Sequence, residues 1–172
     1  MTLAFFKEVQ NKLLWAVSGK TAAELMYYRA NASLPMMGLA STEKEGKVTK
    51  NDVLIGKNYL NEKETGQLKL IVEQFLAYAE AQALAEKPMY MSDWLQKLRL
   101  VLTMNEKNIL EHAGTISHES AVAKATKEYI AYKEQQRKIE RLESIKQLDQ
   151  DLKRIAPRKN NKKKEDNEEN NQ

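Results

Sequence analysis

Two short segments of the sequence combine residue types that perform chemistry in other proteins. Ser18-Gly-Lys-Thr21 ends like a phosphate-binding P-loop, but such a loop needs a glycine five residues before Gly19. Leu14 stands at that position, inside a helical pattern. Ser41-Thr-Glu-Lys44 has the serine–lysine spacing of some acyl-transfer enzymes, without their supporting motifs. We therefore interpret the first segment as a turn between two helices and the second as a chance match.

The two histidines of the chain, His112 and His118, each stand beside a glutamate and could together bind zinc. Neither has a second histidine one helical turn later, and the chain has no cysteine. Histidine also closes helix C-termini, where its charged form interacts favourably with the helix dipole. We expect capping or surface roles for both residues, and no metal ion or other cofactor.

A candidate binding site remains in the region of residues 29–60. Four residues there carry hydrogen-bonding groups: Arg29, Lys57, Asn58 and Tyr59. The two basic residues, Arg29 and Lys57, suit a phosphate or carboxylate substrate. Residues 31–48 form a long irregular connection, which in a compact domain is typical of a functional or mobile loop. An enzyme or toxin-like effector with its site in this loop is one hypothesis for the function.

Two aromatic segments allow both a structural and a binding interpretation. Tyr27-Tyr28-Arg29 could stack on nucleobases, but the methionines at positions 26, 36 and 37 favour a packing cluster. Pro88-Met-Tyr-Met91 is typical of an apolar plug between helices. Its alternative is the rim of a peptide-binding site, which would include Asp93 and Trp94. Those two residues are therefore candidate partner-binding residues.

The composition describes a nearly neutral body with a basic C-terminal end. The 172 residues include 28 Lys and Arg against 24 Asp and Glu, for a net charge of +4. Residues 153–172 hold seven basic and four acidic residues, so they carry +3 of that charge. Duplex-binding domains concentrate positive charge on one face. We therefore predict only weak, non-specific attraction of DNA, through the lysines of residues 159–164.

The chain has the features of a cytoplasmic protein. It lacks an apolar run near the roughly 18 residues that a membrane-spanning helix needs, so we expect no membrane association. Charged residues within the first eight positions argue against a signal peptide. The absence of cysteine fits a reducing compartment.

Helical periodicity dominates the sequence and predicts an all-α domain of five or six helices over residues 1–135. The first helix is predicted over residues 3–17, and Gly114 is predicted to end the helix before the last. Four residues have the type and position of helix N-caps, which satisfy free backbone N–H groups: Thr21, Asn61, Ser92 and Ser117.

The last helix is predicted to run unbroken from Ser117 to Ile155, projecting beyond that domain. Its extension, residues 136–156, carries a narrow apolar stripe among charges: Ile139, Leu142, Ile145, Leu148, Leu152 and Ile155. About fifteen residues of straight helix reach roughly 22 Å, so the stripe stays exposed unless another chain covers it. We predict a coiled-coil-like contact with a second copy or a partner helix. The alternative is a bend at Gln135-Gln136 that packs the stripe on its own domain.

Beyond Pro157 no side chain is apolar. Such a segment cannot bury a core. Residues 157–172 are therefore predicted to be a disordered charged tail.

Several segments of the chain resemble the RhuM virulence-protein family of bacteria. They occur in order and at matching separations over about residues 5–130: Phe5-Phe-Lys-Glu-Val-Gln-Asn-Lys-Leu13, Gly19-Lys-Thr-Ala-Ala-Glu-Leu25, Arg29-Ala-Asn-Ala-Ser-Leu-Pro-Met-Met-Gly-Leu39, Lys47-Val-Thr-Lys-Asn-Asp-Val53, Lys57-Asn-Tyr-Leu60 and Pro88-Met-Tyr-Met-Ser-Asp-Trp94. The resemblance is to the C-terminal half of the family pattern, which implies a fragment or a short relative. It also implies association with DNA and with mobile elements, whereas no biochemical activity is well established for the family.

The chain departs from that pattern in the irregular loop. Asn31, Leu34 and Met36 stand where the family pattern tends to have an acid, a lysine and an asparagine. These differences argue against a conserved activity of the loop in this chain. We therefore expect a non-catalytic interaction or oligomerisation module of a DNA-associated virulence-family protein, with the effector hypothesis as the alternative.

Overall fold

Five α-helices form the computed structural model, which describes residues 2–155. They are α1 (Thr2–Ser18), α2 (Ala22–Arg29), α3 (Glu62–Leu84), α4 (Met91–Met104) and α5 (His118–Ile155). Within residues 2–155 no strand forms, and one isolated antiparallel bridge joins Lys44 to Lys47. The predicted all-α class with a long C-terminal helix is confirmed. The tail predicted to be disordered, residues 157–172, lies outside the described residues.

The chain divides into two units, the first ending at Glu134 and the second beginning at Gln135. α5 contributes to both units, and it is helical throughout, including Gln135-Gln136. The cores described next belong to the first unit.

One core joins α2, the segment after it and the start of α5. Its largest fully buried side chains come from α1, α2 and residues 37–60: Leu14, Leu25, Met26, Met37, Val53, Tyr59 and Leu60. Ala121 and Ala125 are the fully buried positions of α5, four residues apart on one helix face. Because alanine side chains are short, the backbone of α5 can approach this core closely.

A second core lies between α1, α3 and α4. It contains Ala16 of α1, Ile71 of α3 and three residues of α4: Leu98, Val101 and Leu102. Phe75 of α3 and Trp94 of α4 extend the core with an edge-to-face contact, their ring centres 5.5 Å apart. α1 thereby connects the two cores, since Val17 packs against both.

Most predicted helix starts are confirmed by their caps. Thr21 and Asn61 form reciprocal capping boxes with the glutamates three residues later. Ser117 accepts the Ser120 N–H at 3.1 Å. The Ser92 cap is wrong, because the Asp93 carboxylate accepts the N–H of Tyr90 and α4 already begins at Met91.

The predicted end of α4 at Gly114 is also wrong. The helix ends at Met104, and Glu106 then adopts a left-handed conformation with φ 54°. Gly114 instead lies in the connection to α5 with φ 88°, and a Cβ there would lie 3.0 Å from the Thr21 side chain. Glycine is required at this position by both its backbone angle and its close approach to α2.

Candidate functional site

The segment between α2 and α3 is organised around a buried carboxylate. Asp52 accepts the backbone N–H groups of Glu43 and Thr49 and, at 2.6 Å, the Thr49 hydroxyl. Burial alone would raise the pKa of Asp52, but these hydrogen bonds outweigh it and lower that pKa. The predicted functional loop is therefore held in place by its own side chains, with only short 3₁₀ turns as regular structure.

The start of this segment contains three consecutive left-handed residues, Met36, Met37 and Gly38, with φ of 52°, 59° and 79°. Such angles are unfavourable for methionine. Met37 is completely buried in the first core, and this burial offsets the backbone strain. Gly38 packs against α2, where a Cβ would lie 2.6 Å from the Arg29 carbonyl oxygen.

Arg29 is already bound by groups of the protein itself. Its guanidinium donates two hydrogen bonds to the Glu64 carboxylate, at 2.6 and 2.7 Å, and a third to the Tyr59 carbonyl oxygen at 2.7 Å. The pKa of Arg29 is raised, mainly by the hydrogen bonds to Glu64. Because Glu64 also caps α3, this ion pair joins the end of α2 to the start of α3.

Asn58 and Tyr59 are buried and have structural partners. The Asn58 side-chain N–H donates a hydrogen bond to the Asp52 carbonyl oxygen, and its Oδ1 accepts one from the Ser41 hydroxyl. The Tyr59 hydroxyl donates to the Val53 carbonyl oxygen at 2.9 Å, and burial raises the pKa of Tyr59. Neither side chain presents its polar group to solvent for a substrate.

Lys57 is the exposed member of the four predicted residues. It lines an open cleft of about 550 Å³ together with Ser41, Glu62 and Thr65. Arg29 and Tyr59 line a second cleft of about 450 Å³, and Ala40 borders both clefts. The structure thus brings Arg29, Lys57 and Tyr59 to neighbouring clefts but not into one pocket.

Asp93 and Trp94 lie away from that loop, in the first turn of α4. Asp93 accepts the Tyr90 N–H, and Trp94 contacts Phe75 in the second core. The plug interpretation of residues 88–91 is wrong, because Tyr90 is 73% exposed and Met91 41% exposed. The first turn of α4 is therefore a capped helix end with two exposed side chains, Tyr90 at the cap and Met91 at the first helical position.

Tyr27 lies against the core, and its neighbour Tyr28 lies at the surface. Tyr27 packs against the first core, as the packing interpretation predicted. Tyr28 is exposed, and the Lys20 ammonium lies 5.2 Å from the centre of its ring. The two rings contact each other edge to face, with centres 5.3 Å apart.

His112 has a structural role beside α1. Its ring packs edge to face on Trp15 with centres 4.8 Å apart, and its Nδ1 accepts the Gly114 N–H. His118 is the exposed first residue of α5. Among residues 2–155 no group of three His, Cys, Asp or Glu side chains is arranged to hold a metal ion.

Two carboxylates, those of Glu24 and Glu128, fix the start of α5 to the rest of the first unit. The sequence did not predict this role for either residue. Glu24, buried at the start of α2, accepts both the N–H and the hydroxyl of Thr115, at 2.8 and 2.7 Å. Glu128 accepts the Ala32 N–H, and Lys124 donates to the Ala30 carbonyl oxygen. These partners are more than 90 residues apart in the chain, so no local sequence signal could have paired them.

The predicted oligomer stripe lies on the second unit. Five of its side chains are about half to two-thirds exposed: Ile139 47%, Leu142 59%, Ile145 56%, Leu148 63% and Leu152 66%. Ile155 is the last residue of α5. The stripe is thus a row of large aliphatic side chains on one helix, accessible to another chain.

Comparison with known proteins places the chain in a family. The model of the RhuM family of virulence proteins matches residues 1–140 of the 172. The chain belongs to the RhuM family. No curated protein and no solved structure matches it significantly. Within residues 2–155 of this RhuM protein, no helix is both long enough and apolar enough to cross a membrane.

Proposed function

We propose that this RhuM protein is a non-catalytic interaction module that self-associates through the apolar stripe of residues 139–155, chiefly through its part from residue 145 to residue 155. The observation that carries the proposal is the exposure of five large aliphatic side chains on a single helix. Leaving such a row in water is unfavourable, and a second copy of the same helix can cover it. The spacing of Ile145, Leu148, Leu152 and Ile155 is the alternating three and four of a coiled-coil seam.

Helix geometry defines which residues of the stripe share a face. At about 100° per residue, residues 145, 148, 152 and 155 fall within an arc of roughly 80°. Ile139 lies nine residues before Leu148, which is two and a half turns, so these two side chains are on opposite sides of the helix. The contact between copies should therefore centre on residues 145–155, with Ile139 and Leu142 at or beyond its edge.

The alternative of an effector site in residues 29–60 is weakened, because most of its candidate residues already bind other groups of the protein. Arg29 is neutralised by Glu64, and the polar groups of Asn58 and Tyr59 are hydrogen-bonded inside the protein. A phosphate or carboxylate substrate would have to displace Glu64 from a bidentate ion pair, which is strong for two partly buried groups. We therefore do not assign a substrate to this loop.

Sedimentation equilibrium of the full chain and of a chain ending at residue 135 tests the proposal. The full chain should self-associate and the truncated chain should be monomeric. Burying one leucine stabilises a contact by about 1.5–3 kcal/mol, and a symmetric dimer loses two such contributions per substitution. Leu148→Lys should therefore raise the dimer dissociation constant by roughly 100-fold or more.

Ile139→Lys is the matched control, because it places the same charge on the opposite side of the same helix. It should leave the dissociation constant within a few-fold of the unmodified chain. A full-length chain that stays monomeric at all concentrations contradicts the proposal, and so does an equal effect of the two lysines.

We further propose a cytoplasmic location and only weak DNA binding, by the lysines of residues 159–164, which lie outside the described residues. Non-specific binding of this kind has dissociation constants of about 10⁻⁴ to 10⁻⁶ M and weakens steeply with salt. Removing residues 157–172 should abolish it in titrations of labelled duplex DNA. Tight, sequence-dependent binding by the shortened chain would instead assign DNA recognition to the helical unit.

A further inference from the structure

The outer face of α3 carries an apolar strip made of Leu70, Ala77, Ala81 and Leu84. Leu70 is 60% exposed, Leu84 is 81% exposed, and both alanines between them are exposed. At about 100° per residue the four positions fall within an arc of roughly 60°, over about 21 Å of helix. They therefore form one straight strip along α3 rather than scattered surface residues.

This strip is distinct from the part of α3 that holds the fold together. The inner face of the helix, with Ile71 and Phe75, packs in the second core against α1 and α4. A helix in water normally buries one apolar face and exposes a polar one. The strip is thus a second apolar face, and the two alanines at its middle leave room for another helix to approach closely.

A line of acidic side chains borders the strip. Glu73 and Glu80 are exposed and lie seven residues apart, about 20–100° around the helix from the strip positions. Lys69 lies 3.8 Å from Glu73, a distance at which two exposed groups interact weakly. Pairing this face with the same face of a second copy would bring four glutamates together, which is unfavourable. The charge therefore favours a partner with basic residues beside its own apolar stripe.

We infer that the face of α3 from Leu70 to Leu84 docks an amphipathic helix of a partner protein, whose apolar stripe is bordered by lysine or arginine. The apolar side chains of the partner cover the two leucines and lie over the two alanines. Its basic side chains pair with Glu73 and Glu80 and fix its position, since charged pairs contribute specificity to such contacts. This surface belongs to the first unit and does not involve residues 139–155.

Two synthetic helical peptides are the probes. Each has 21 residues and the same leucine stripe at heptad spacing, but the positions flanking the stripe are lysine in one peptide and glutamate in the other. Fluorescence anisotropy of the labelled peptides is measured against the full chain at fixed ionic strength. The lysine peptide should bind at least tenfold more tightly than the glutamate peptide.

Two pairs of variants show whether this preference comes from the inferred face. Glu73→Lys combined with Glu80→Lys should reverse the preference, whereas Glu43→Lys combined with Glu45→Lys, exposed glutamates of the loop, should not. Leu70→Gln, which removes apolar surface without adding a charge, should weaken binding tenfold or more. Leu76→Gln, at a leucine 59% exposed but about 120° around the helix from Leu70, should not.

Circular dichroism melting confirms that each variant is folded before it is compared. Absence of binding, equal binding of the two peptides, or a reversal produced equally by the loop substitutions would overturn the inference. Because the substitutions at residues 70, 73 and 80 change α3 alone, a monomeric chain in sedimentation leaves their effect on peptide binding unaffected, and the two proposals fail separately.

Discussion

Glu24 is the buried carboxylate whose removal should destabilise this RhuM protein most clearly. It accepts four hydrogen bonds, from the N–H and hydroxyl of Thr21 and the N–H and hydroxyl of Thr115. Through these bonds it joins the start of α2 to the segment that leads into α5. Glu24→Gln keeps the size of the side chain but removes its charge and one of its two acceptor oxygens.

The pKa of Glu24 gives the size of the expected effect. Burial alone would raise this pKa, but the hydrogen bonds from Thr21 and Thr115 outweigh burial and lower it from 4.5 to about 2. One pKa unit corresponds to about 1.4 kcal/mol, so the ionised carboxylate contributes about 3 kcal/mol to the free energy of unfolding at neutral pH. Glutamine retains part of the hydrogen bonding, and we expect Glu24→Gln to cost about 2–3 kcal/mol.

Urea unfolding followed by circular dichroism, repeated from pH 7 to pH 2.5, measures this effect. Because the pKa of Glu24 is lower in the folded state, its stabilisation is fully present above pH 4.5 and is lost as the pH falls towards 2. The difference in unfolding free energy between the unmodified chain and Glu24→Gln should therefore be largest at pH 6–7. It should shrink steadily below pH 4.5.

Glu62→Gln is the control, because Glu62 is an exposed glutamate in the first turn of α3. It should change the unfolding free energy by at most about 0.5 kcal/mol. A Glu24→Gln difference below about 1 kcal/mol at pH 7, or one that stays constant down to pH 2.5, would refute the assigned role of Glu24.

Three further predictions concern the stability of the first unit and use the same unfolding assay. Gly38→Ala should cost more than about 2 kcal/mol, because the residue has φ 79° and the new Cβ would lie 2.6 Å from the Arg29 carbonyl oxygen. Gly66→Ala, with nothing within 4 Å of its Cβ inside α3, should instead stabilise by about 0.5–1 kcal/mol; equal effects would contradict the argument. Arg29→Met should cost about 3 kcal/mol by leaving Glu64 partly buried without its partner, and the double change with Glu64→Gln should recover part of that loss. Tyr59→Phe should cost about 1 kcal/mol through one lost hydrogen bond, and a neutral result would show that the bond contributes nothing.

Local signals in the sequence located most helix starts. The reciprocal caps at Thr21 and Asn61 involve residues only three positions apart, so their chemistry is complete within one helical turn. The errors at Ser92 and Gly114 have different causes. The Asp93 carboxylate accepts the Tyr90 N–H, so α4 begins one residue before Ser92. α4 ends at Met104, and the left-handed residue after it is Glu106, so no glycine marks this helix end in the sequence.

The candidate site was predictable only in part. Arg29 and Tyr59 line one cleft, Lys57 lines the neighbouring one, and Asn58 is buried beside Asp52. Their roles depended on distant groups: Glu64 neutralises Arg29 across 35 residues, and burial against the first core removes Tyr59 from solvent. No residue type or spacing in the loop predicts either partner.

The sequence by itself determined what depends on neighbours along the chain: the all-α class, the long last helix and its apolar stripe, and family membership. Helical periodicity, caps and segment order are local properties, and each is readable within a few turns. Tertiary structure alone decided which polar groups are free to act. The two hydrogen bonds from Thr115 to Glu24 and the ion pair of Arg29 with Glu64 join residues 91 and 35 positions apart. These long-range contacts decide which polar side chains remain available for binding, because each contact uses a charge or a hydrogen-bonding group.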